Sequence, residues 1–269
     1  MGWGDVVLQD KATFDVHRGD IFVILGGSGC GKSTMLRHLI GLEEPMSGKI
    51  TIAGIGAPRL DVNRPRFGVM FQSGALLGSM TVGENVSLTL REWTRLPSDA
   101  IDAIVQAKLR LVGLGGFENH TPAEISGGMK KRAAIARAMV LEPELLFLDE
   151  PSAGLDPVTA VELDDLILTL NQGLGVTVVM VTHELASIFK IASTCIMLDK
   201  DSKSIIARGR PLELRDRTDD PRVYAFFNRV PGTTPGGSTQ LAPDGAGGAA
   251  LHDGQRGRGS AAQQPGGVY

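Results

Sequence analysis

Ile21-Phe22-Val23-Ile24-Leu25-Gly26-Gly27-Ser28-Gly29-Cys30-Gly31-Lys32-Ser33-Thr34 decides how the chain folds. Five apolar residues, rich in β-branched types, read as a strand buried on both faces. They run directly into a glycine-rich loop with the Gly-x4-Gly-Lys-Ser/Thr spacing of a phosphate loop, and Met35, Leu36, Leu39 and Ile40 follow at helical spacing. The glycines let the backbone curl until its N–H groups point inward, and the helix behind adds its positive N-terminal end. Gly26, Gly27, Ser28, Gly29, Cys30, Gly31, Lys32, Ser33 and Thr34 are therefore expected to form an anion cradle. Lys32 would reach the β- and γ-phosphates of a nucleotide, and the Ser33 hydroxyl would ligate Mg²⁺. Cys30 occupies a variable position and is assigned no chemistry of its own.

Further strands are expected at Phe67 to Phe71, Leu145 to Leu148 and Val176 to Val181, with helical patterns between them. That alternation predicts an α/β fold with a largely parallel sheet. One helix is delimited by Asp156 as its cap, Pro157 at its first position and Gly173 after its end, with Val158, Val161, Leu166, Ile167 and Leu170 lining its core side. From Thr81 to Val140 the pattern is helical and reads as a lobe inserted into the sheet domain. Residues 231–269 hold 11 Gly and 4 Pro, a composition that predicts a disordered tail.

The chain has 269 residues, 42% hydrophobic, with a formal net charge of −3. No basic field gathers nucleic acid, and nucleic acid is not expected as a partner. The two cysteines, Cys30 and Cys195, lie far apart, which suits small buried filler in a reducing compartment. No apolar run reaches the roughly 18 to 20 residues of a membrane span, so a soluble, cytoplasmic chain is expected, with any membrane role exercised through a partner.

A phosphate loop needs a carboxylate to hold the metal and another to activate water. Leu145-Leu146-Phe147-Leu148-Asp149-Glu150 offers both at a strand end, Asp149 for the metal and Glu150 as general base. His183, after the strand from Val176, lies at the edge where open α/β sheets bind ligands and would contact the γ-phosphate or the attacking water. Gln72, after the strand from Phe67, would complete the metal shell.

Ile125-Ser126-Gly127-Gly128-Met129 then resembles the signature motif of ATP-binding cassette (ABC) ATPases. Gln72 stands where that family has its Q-loop, Ser152-Ala153-Gly154-Leu155-Asp156 where it has its D-loop, and His183 where it has its switch histidine. The resemblance covers about residues 3 to 215. It implies a P-loop NTPase fold with a RecA-like core, an α-helical subdomain at about 77–140 and a small antiparallel β-subdomain near the N-terminus, the nucleotide-binding domain spanning 1–230. It also implies that Ser126, Gly127 and Gly128 of one copy close over ATP held by a second copy, head to tail. A hydroxyl and backbone donors at a helix start suit that contact. Asp156 would then sit at the seam as well as capping its helix. Trp3, 23 positions before Gly26, resembles the family's adenine-stacking aromatic, with packing on the sheet edge as its other reading. The family usually has a further strand before that aromatic, and here the chain starts two residues before it.

Met129 stands where most members have Gln. With Lys130-Lys131-Arg132-Ala133-Ala134-Ile135-Ala136-Arg137-Ala138, Phe71-Gln72-Ser73-Gly74-Ala75-Leu76-Leu77 and Asp220-Pro221-Arg222-Val223-Tyr224-Ala225-Phe226-Phe227, it is similar to the Mla-type (maintenance of lipid asymmetry) and Mce-associated ATPases. This implies an energy-coupling subunit, peripheral on the inner face of the cytoplasmic membrane, that docks under a permease in a system with a lipid-binding Mce-type protein. Its cargo would be phospholipid or another hydrophobic substrate; amino acids or another polar solute remain the alternative, since the cargo never touches this chain. Lys130 to Arg132 read as a solvated helix face. Leu76, Leu77, Met80 and Val82 read either as a groove for a permease helix or as lobe core.

Overall fold

The chain lays its most apolar strand in the middle of the sheet because that segment has no face to offer water. In the computed structural model, which describes residues 1–3, 6–58, 66–216 and 219–230, all six residues of Ile21–Gly26 are buried. The elements follow in chain order as β1 (Gly2–Trp3), β2 (Val6–Val7), β3 (Ile21–Gly26), α1 (Lys32–Leu39), β4 (Phe67–Met70), α2 (Val82–Trp93), α3 (Ser98–Leu111), α4 (Gly127–Met139), β5 (Leu145–Asp149), α5 (Pro157–Leu174), β6 (Thr177–Val181), α6 (Leu185–Ile191), β7 (Thr194–Asp199), β8 (Ser204–Gly209), α7 (Pro211–Arg215) and α8 (Pro221–Asn228). A short 3₁₀ turn, Pro122–Glu124, precedes α4.

The six-stranded sheet has the order β4-β5-β6-β3-β7-β8. Its first five strands are parallel, and β8 returns antiparallel to β7. Residues alternate across β3, so Ile21, Val23 and Leu25 enter one core layer with α5 and the helical lobe. Phe22 and Ile24 enter the other with Met35, Leu36 and Ile40 beside α1. Each fully buried side chain of this size contributes about 1.5–3 kcal/mol, which makes β3 the anchor of both layers. Phe14 stacks on Phe22 at 5.4 Å between ring centroids, covering the α1 layer from the N-terminal side.

Parallel strands bring their carboxyl ends to one edge. Gly26 pairs in register with Leu198, Asp149 with Val181 and Met70 with Leu148, so the segments leaving β3, β4, β5 and β6 emerge together. β3 lies between β6 and β7, the place where connections leave to opposite sides and open α/β sheets hold ligands.

α2, α3 and α4 take up most of 82–139, in keeping with the helical pattern from Thr81 to Val140, and α2 opens on a capping box between Thr81 and Glu84. Of the four residues with two readings, Val82 is lobe core, Leu76 packs on the core, Met80 is half-buried and Leu77 is 49% exposed. The expected antiparallel subdomain is reduced, among the described residues, to β1 paired with β2 and a single bridge between Ile52 and Gly56. The tail expected at 231–269 lies outside the described residues. No helix of the described residues is long and apolar enough to cross a membrane.

α5 corrects two expectations. It runs on past Gly173 and ends at Gly175, whose φ of 68° is the left-handed cap that glycine adopts without steric cost. Its buried stripe is Leu163, Leu166, Ile167 and Leu170. Val158 and Val161 point away from it and are 69% and 46% exposed, because at 100° per residue they fall on the opposite side of the helix.

Candidate functional site: a phosphate loop facing two carboxylates

Gly26 ends β3 with φ 147°, and a side chain there would strike the Leu198 carbonyl and the Cys30 sulfur. Only glycine fits that close approach. Gly29 and Gly31 also have positive φ, 77° and 95°, and Gly31 caps α1. The first intrahelical bond, from the Met35 amide to the Gly31 carbonyl, is 2.8 Å, so the Lys32, Ser33 and Thr34 amides precede it at the positive helix end. Lys32 Nζ donates to the Gly26 and Gly27 carbonyls at 2.9 and 3.0 Å, folding its charge over the loop. Beneath the loop, the buried Gln9 amide donates to the Cys30 carbonyl at 2.9 Å and the Asp199 carbonyl at 3.0 Å. Cys30 and Cys195 are both buried free thiols; burial pushes the Cys195 thiol up to about 12.

Across the loop stands Asp149, the last residue of β5. Ser33 Oγ donates to its Oδ1 at 3.4 Å. Burial raises the Asp149 carboxyl above the usual carboxylate range, and the neighbouring Glu150 charge adds to the rise, outweighing the opposing pull of Ser33, Lys131 and Arg37. Ser33, Arg37, Phe71, Gln72 and Asp149 line one cleft of about 710 Å³. Ser33, Gln72 and Asp149 present oxygen donors with a single carboxylate, a set that fits a hard cation retaining waters and taking substrate phosphate oxygens as its other ligands. Among the described residues no group of three or more His, Cys, Asp or Glu side chains is arranged to hold a metal alone.

A carboxyl whose pKa is raised by folding lends its full stability below the unfolded value, about 3.9 for Asp, and loses it as pH rises through the folded one. Ionised Asp149 thus weakens the fold at neutral pH. Asp149→Asn is expected to raise the Tm at pH 7 by a few degrees, with the gain shrinking as pH falls towards 4. A Tm at pH 7 below that of the parent chain would contradict this electrostatic account.

Glu150 is 8% exposed and adopts φ 47°, a left-handed conformation held by its amide donating to the Val181 carbonyl at 2.8 Å. His183 reaches it from the end of β6, Nδ1 lying 2.8 Å from Glu150 Oε1. Glu150, His183, Asp149, Gln72 and the Lys32 loop thus meet at one sheet edge. Trp3 has its backbone in β1, opposite Val6.

The signature turn stands apart. Ser126 and Gly127 are exposed, and Ser126 Oγ accepts from the Met129 amide at 3.3 Å, capping α4. A side chain on Gly128 would collide with Thr159 of α5, whose hydroxyl donates to Asp156 at 2.5 Å. Asp156 also accepts from the Val158 and Thr159 amides at 3.1 Å. The start of α4 and the Asp156 turn therefore pack directly against each other. Among the described residues, no hydrogen bond or ion pair joins Ser126 to the Lys32 loop.

The basic run on α4 is not the solvated face that the sequence suggests. Lys131 is 8% exposed; its ammonium donates to the Gln72 carbonyl and, at 3.2 Å, to that of Glu150. Arg132 donates to the Val112 carbonyl at 3.1 Å. Arg137 donates to the Gly74 and Ala75 carbonyls at 2.8 and 2.7 Å. Periodicity carried a signal for Lys131, which shares a helical stripe with buried Gly128 and Ile135, three residues before and four after it.

Residues 9–153 match the family model described as ABC transporter. Over 231 residues the chain is 42% identical to the probable ribonucleotide transport ATP-binding protein mkl of Mycobacterium leprae, covering 84% of this chain and 66% of the relative. It therefore spans slightly less than two thirds of that mycobacterial protein's length. Over 232 residues it is 41% identical to the intermembrane phospholipid transport system ATP-binding protein MlaF of Escherichia coli, covering 84% of this chain and 85% of the relative. Among solved structures, it is similar to the dimeric post-hydrolysis state of the ATP-binding cassette MJ0796 bound to ADP and Pi. The TM-score is 0.69 at 28% identity, over 78% of this chain and 94% of that one. The family match takes in more than half of the chain and runs from the segment beneath the phosphate loop through both carboxylates, so this chain belongs to the ABC transporter family.

Proposed function

We propose that the chain is the ATP-hydrolysing subunit of a membrane transporter that moves phospholipid or another hydrophobic substrate across a bacterial envelope. The convergence of the Lys32 loop, Asp149, Glu150 and His183 on one sheet edge carries the ATPase reading. Similarity to MlaF over most of both chains supports the lipid cargo.

Water attacks the γ-phosphorus in line. As the new O–P bond forms and the bond to the bridging oxygen of ADP breaks, Glu150 takes the water proton. His183, already bonded to Glu150, orients that carboxylate. Lys32 and the N-terminal amides of α1 meet charge on the phosphate oxygens from one side. Ser126, Gly127 and Gly128 of a second copy meet it from the other, so that a head-to-tail pair encloses two nucleotides. Mg²⁺ held by Ser33, Asp149 and Gln72 would neutralise phosphate charge. Trp3 is assigned to the adenine face. Leu77, Phe71 and the Gln72 segment face an integral permease, through which the chain sits on the inner face of the cytoplasmic membrane beside a lipid-binding Mce-type protein.

Purifying the full complex in mild detergent tests the assignment: a permease and phospholipid are expected to co-purify. A periplasmic solute-binding protein and no lipid would contradict the cargo. The second reading, a polar cargo, is favoured by the ribonucleotide named for the mycobacterial relative, and that outcome would support it.

A further inference from the structure

Lys131 is a buried charge that the reaction scheme above does not use. It sits on α4, five residues after Ser126, and its ammonium rests on two main-chain oxygens, those of Gln72 and Glu150. Gln72, which follows β4, lines the nucleotide cleft, Glu150 follows β5 next to the cleft-lining Asp149, and the carbonyls of both meet at one cation. Burial lowers the Lys131 pKa, while the Asp149 and Glu150 carboxylates counter that fall. The two carboxylates thus favour the charged form, and the two carbonyls hold it in place.

The Glu150 backbone is where such a contact matters. Its φ of 47° is a conformation that side-chain-bearing residues adopt only when their surroundings hold them there. The amide is fixed by Val181, and the carbonyl is fixed by Lys131 together with the Ala153 amide at 3.2 Å. With both ends of the residue pinned, the direction in which its side chain leaves the backbone is set, and His183 holds the carboxylate at its far end. On the same helix, Arg137 holds the Gly74 and Ala75 carbonyls, so α4 grips the segment from Gln72 to Ala75 at three oxygens. α4 also begins at the exposed signature turn, so a displacement of that turn reaches Gln72 and Glu150 through one stiff helix.

We propose that Lys131 is a positioning residue for hydrolysis, tying the signature helix to the backbones of Gln72 and Glu150 so that the general base is aligned when the signature turn is engaged. The inference rests on the assignment of Glu150 as base. It requires nothing of Lys131 in contact with nucleotide.

The test compares Lys131→Met, Lys131→Arg and Glu150→Gln in the full-length chain, measuring kcat, the Kd for ATP and the thermal midpoint. Met keeps the length of the stem and removes the donors and the charge. Its kcat is expected to fall at least about tenfold while the Kd for ATP changes less than about threefold, the split that separates alignment from binding. Lys131→Arg, which keeps charge and donors, is expected to recover a third or more of the parent rate. If Lys131→Met does not fold, Lys131→Gln, which keeps donors without charge, carries the same comparison of kcat with Kd. Turnover in Lys131→Met within threefold of the parent chain, with Glu150→Gln inactive, overturns the proposal alone. So does a loss of ATP affinity that matches the loss of rate. Full turnover in Glu150→Gln instead removes the site reading beneath the proposal, and the proposal with it.

Discussion

Glu150→Gln is expected to lower ATP turnover by about 10²- to 10⁴-fold, the range that a positioned general base contributes, while leaving ATP bound. Gln keeps the shape of Glu and can still hydrogen-bond His183, whose Nδ1 lies 2.8 Å from Oε1. The left-handed backbone at residue 150 is fixed by main-chain contacts that the substitution does not touch. One charge disappears beside Asp149, whose carboxyl is raised by burial first and by Glu150 second. The remaining carboxylate then ionises more readily and is better suited to a cation. Binding is therefore retained or strengthened while chemistry stops. Size-exclusion chromatography with light scattering should show an ATP-dependent dimer in this variant. Unaltered turnover would remove Glu150 from the base role.

Lys32→Ala should fail at the step before chemistry. Lys32 Nζ spans the Gly26 and Gly27 carbonyls, a local arrangement that phosphate oxygens can replace with charge-assisted bonds. Truncating one partner of such a desolvated charge pair costs about 2–5 kcal/mol, so the Kd for ATP should rise by about 30-fold or more. The loop itself should persist, since its shape comes from Gly26 against Leu198 and from Gln9 beneath Cys30. Calorimetric titration with ATP makes the comparison, and a Kd within threefold of the parent value would show that the amides of α1 hold the phosphates unaided.

Local chemistry made the centre of the molecule legible in the sequence. The strand from Ile21, the glycines after it and the Asp149-Glu150 strand end each have a physical reason visible within a few residues, and the structure brings them to one edge through parallel pairing. What depends on distant partners was harder to read. Val158 and Val161 looked like core because they are apolar, yet the sheet fixes the buried face of α5 on the stripe of Leu163, Ile167 and Leu170. The hairpin of β7 and β8 was missed although Cys195 to Leu198 is a buried apolar run; a run of that length reads equally as helix. Lys131 was misassigned because a charge run normally faces water, and only the convergence of the Gln72 and Glu150 carbonyls shows what makes its burial tolerable.

Everything proposed for catalysis depends on nucleotide being enclosed by two copies of the chain. The direct test places Cys at Ser28 and at Ser126 in a full-length Glu150→Gln chain, with Cys30 and Cys195, both buried, replaced by Ser. A short thiol cross-linker should then join Ser28→Cys of one copy to Ser126→Cys of the other, giving a covalent dimer with ATP and monomer without it. A chain that binds ATP yet yields no such dimer at any nucleotide concentration would contradict the account.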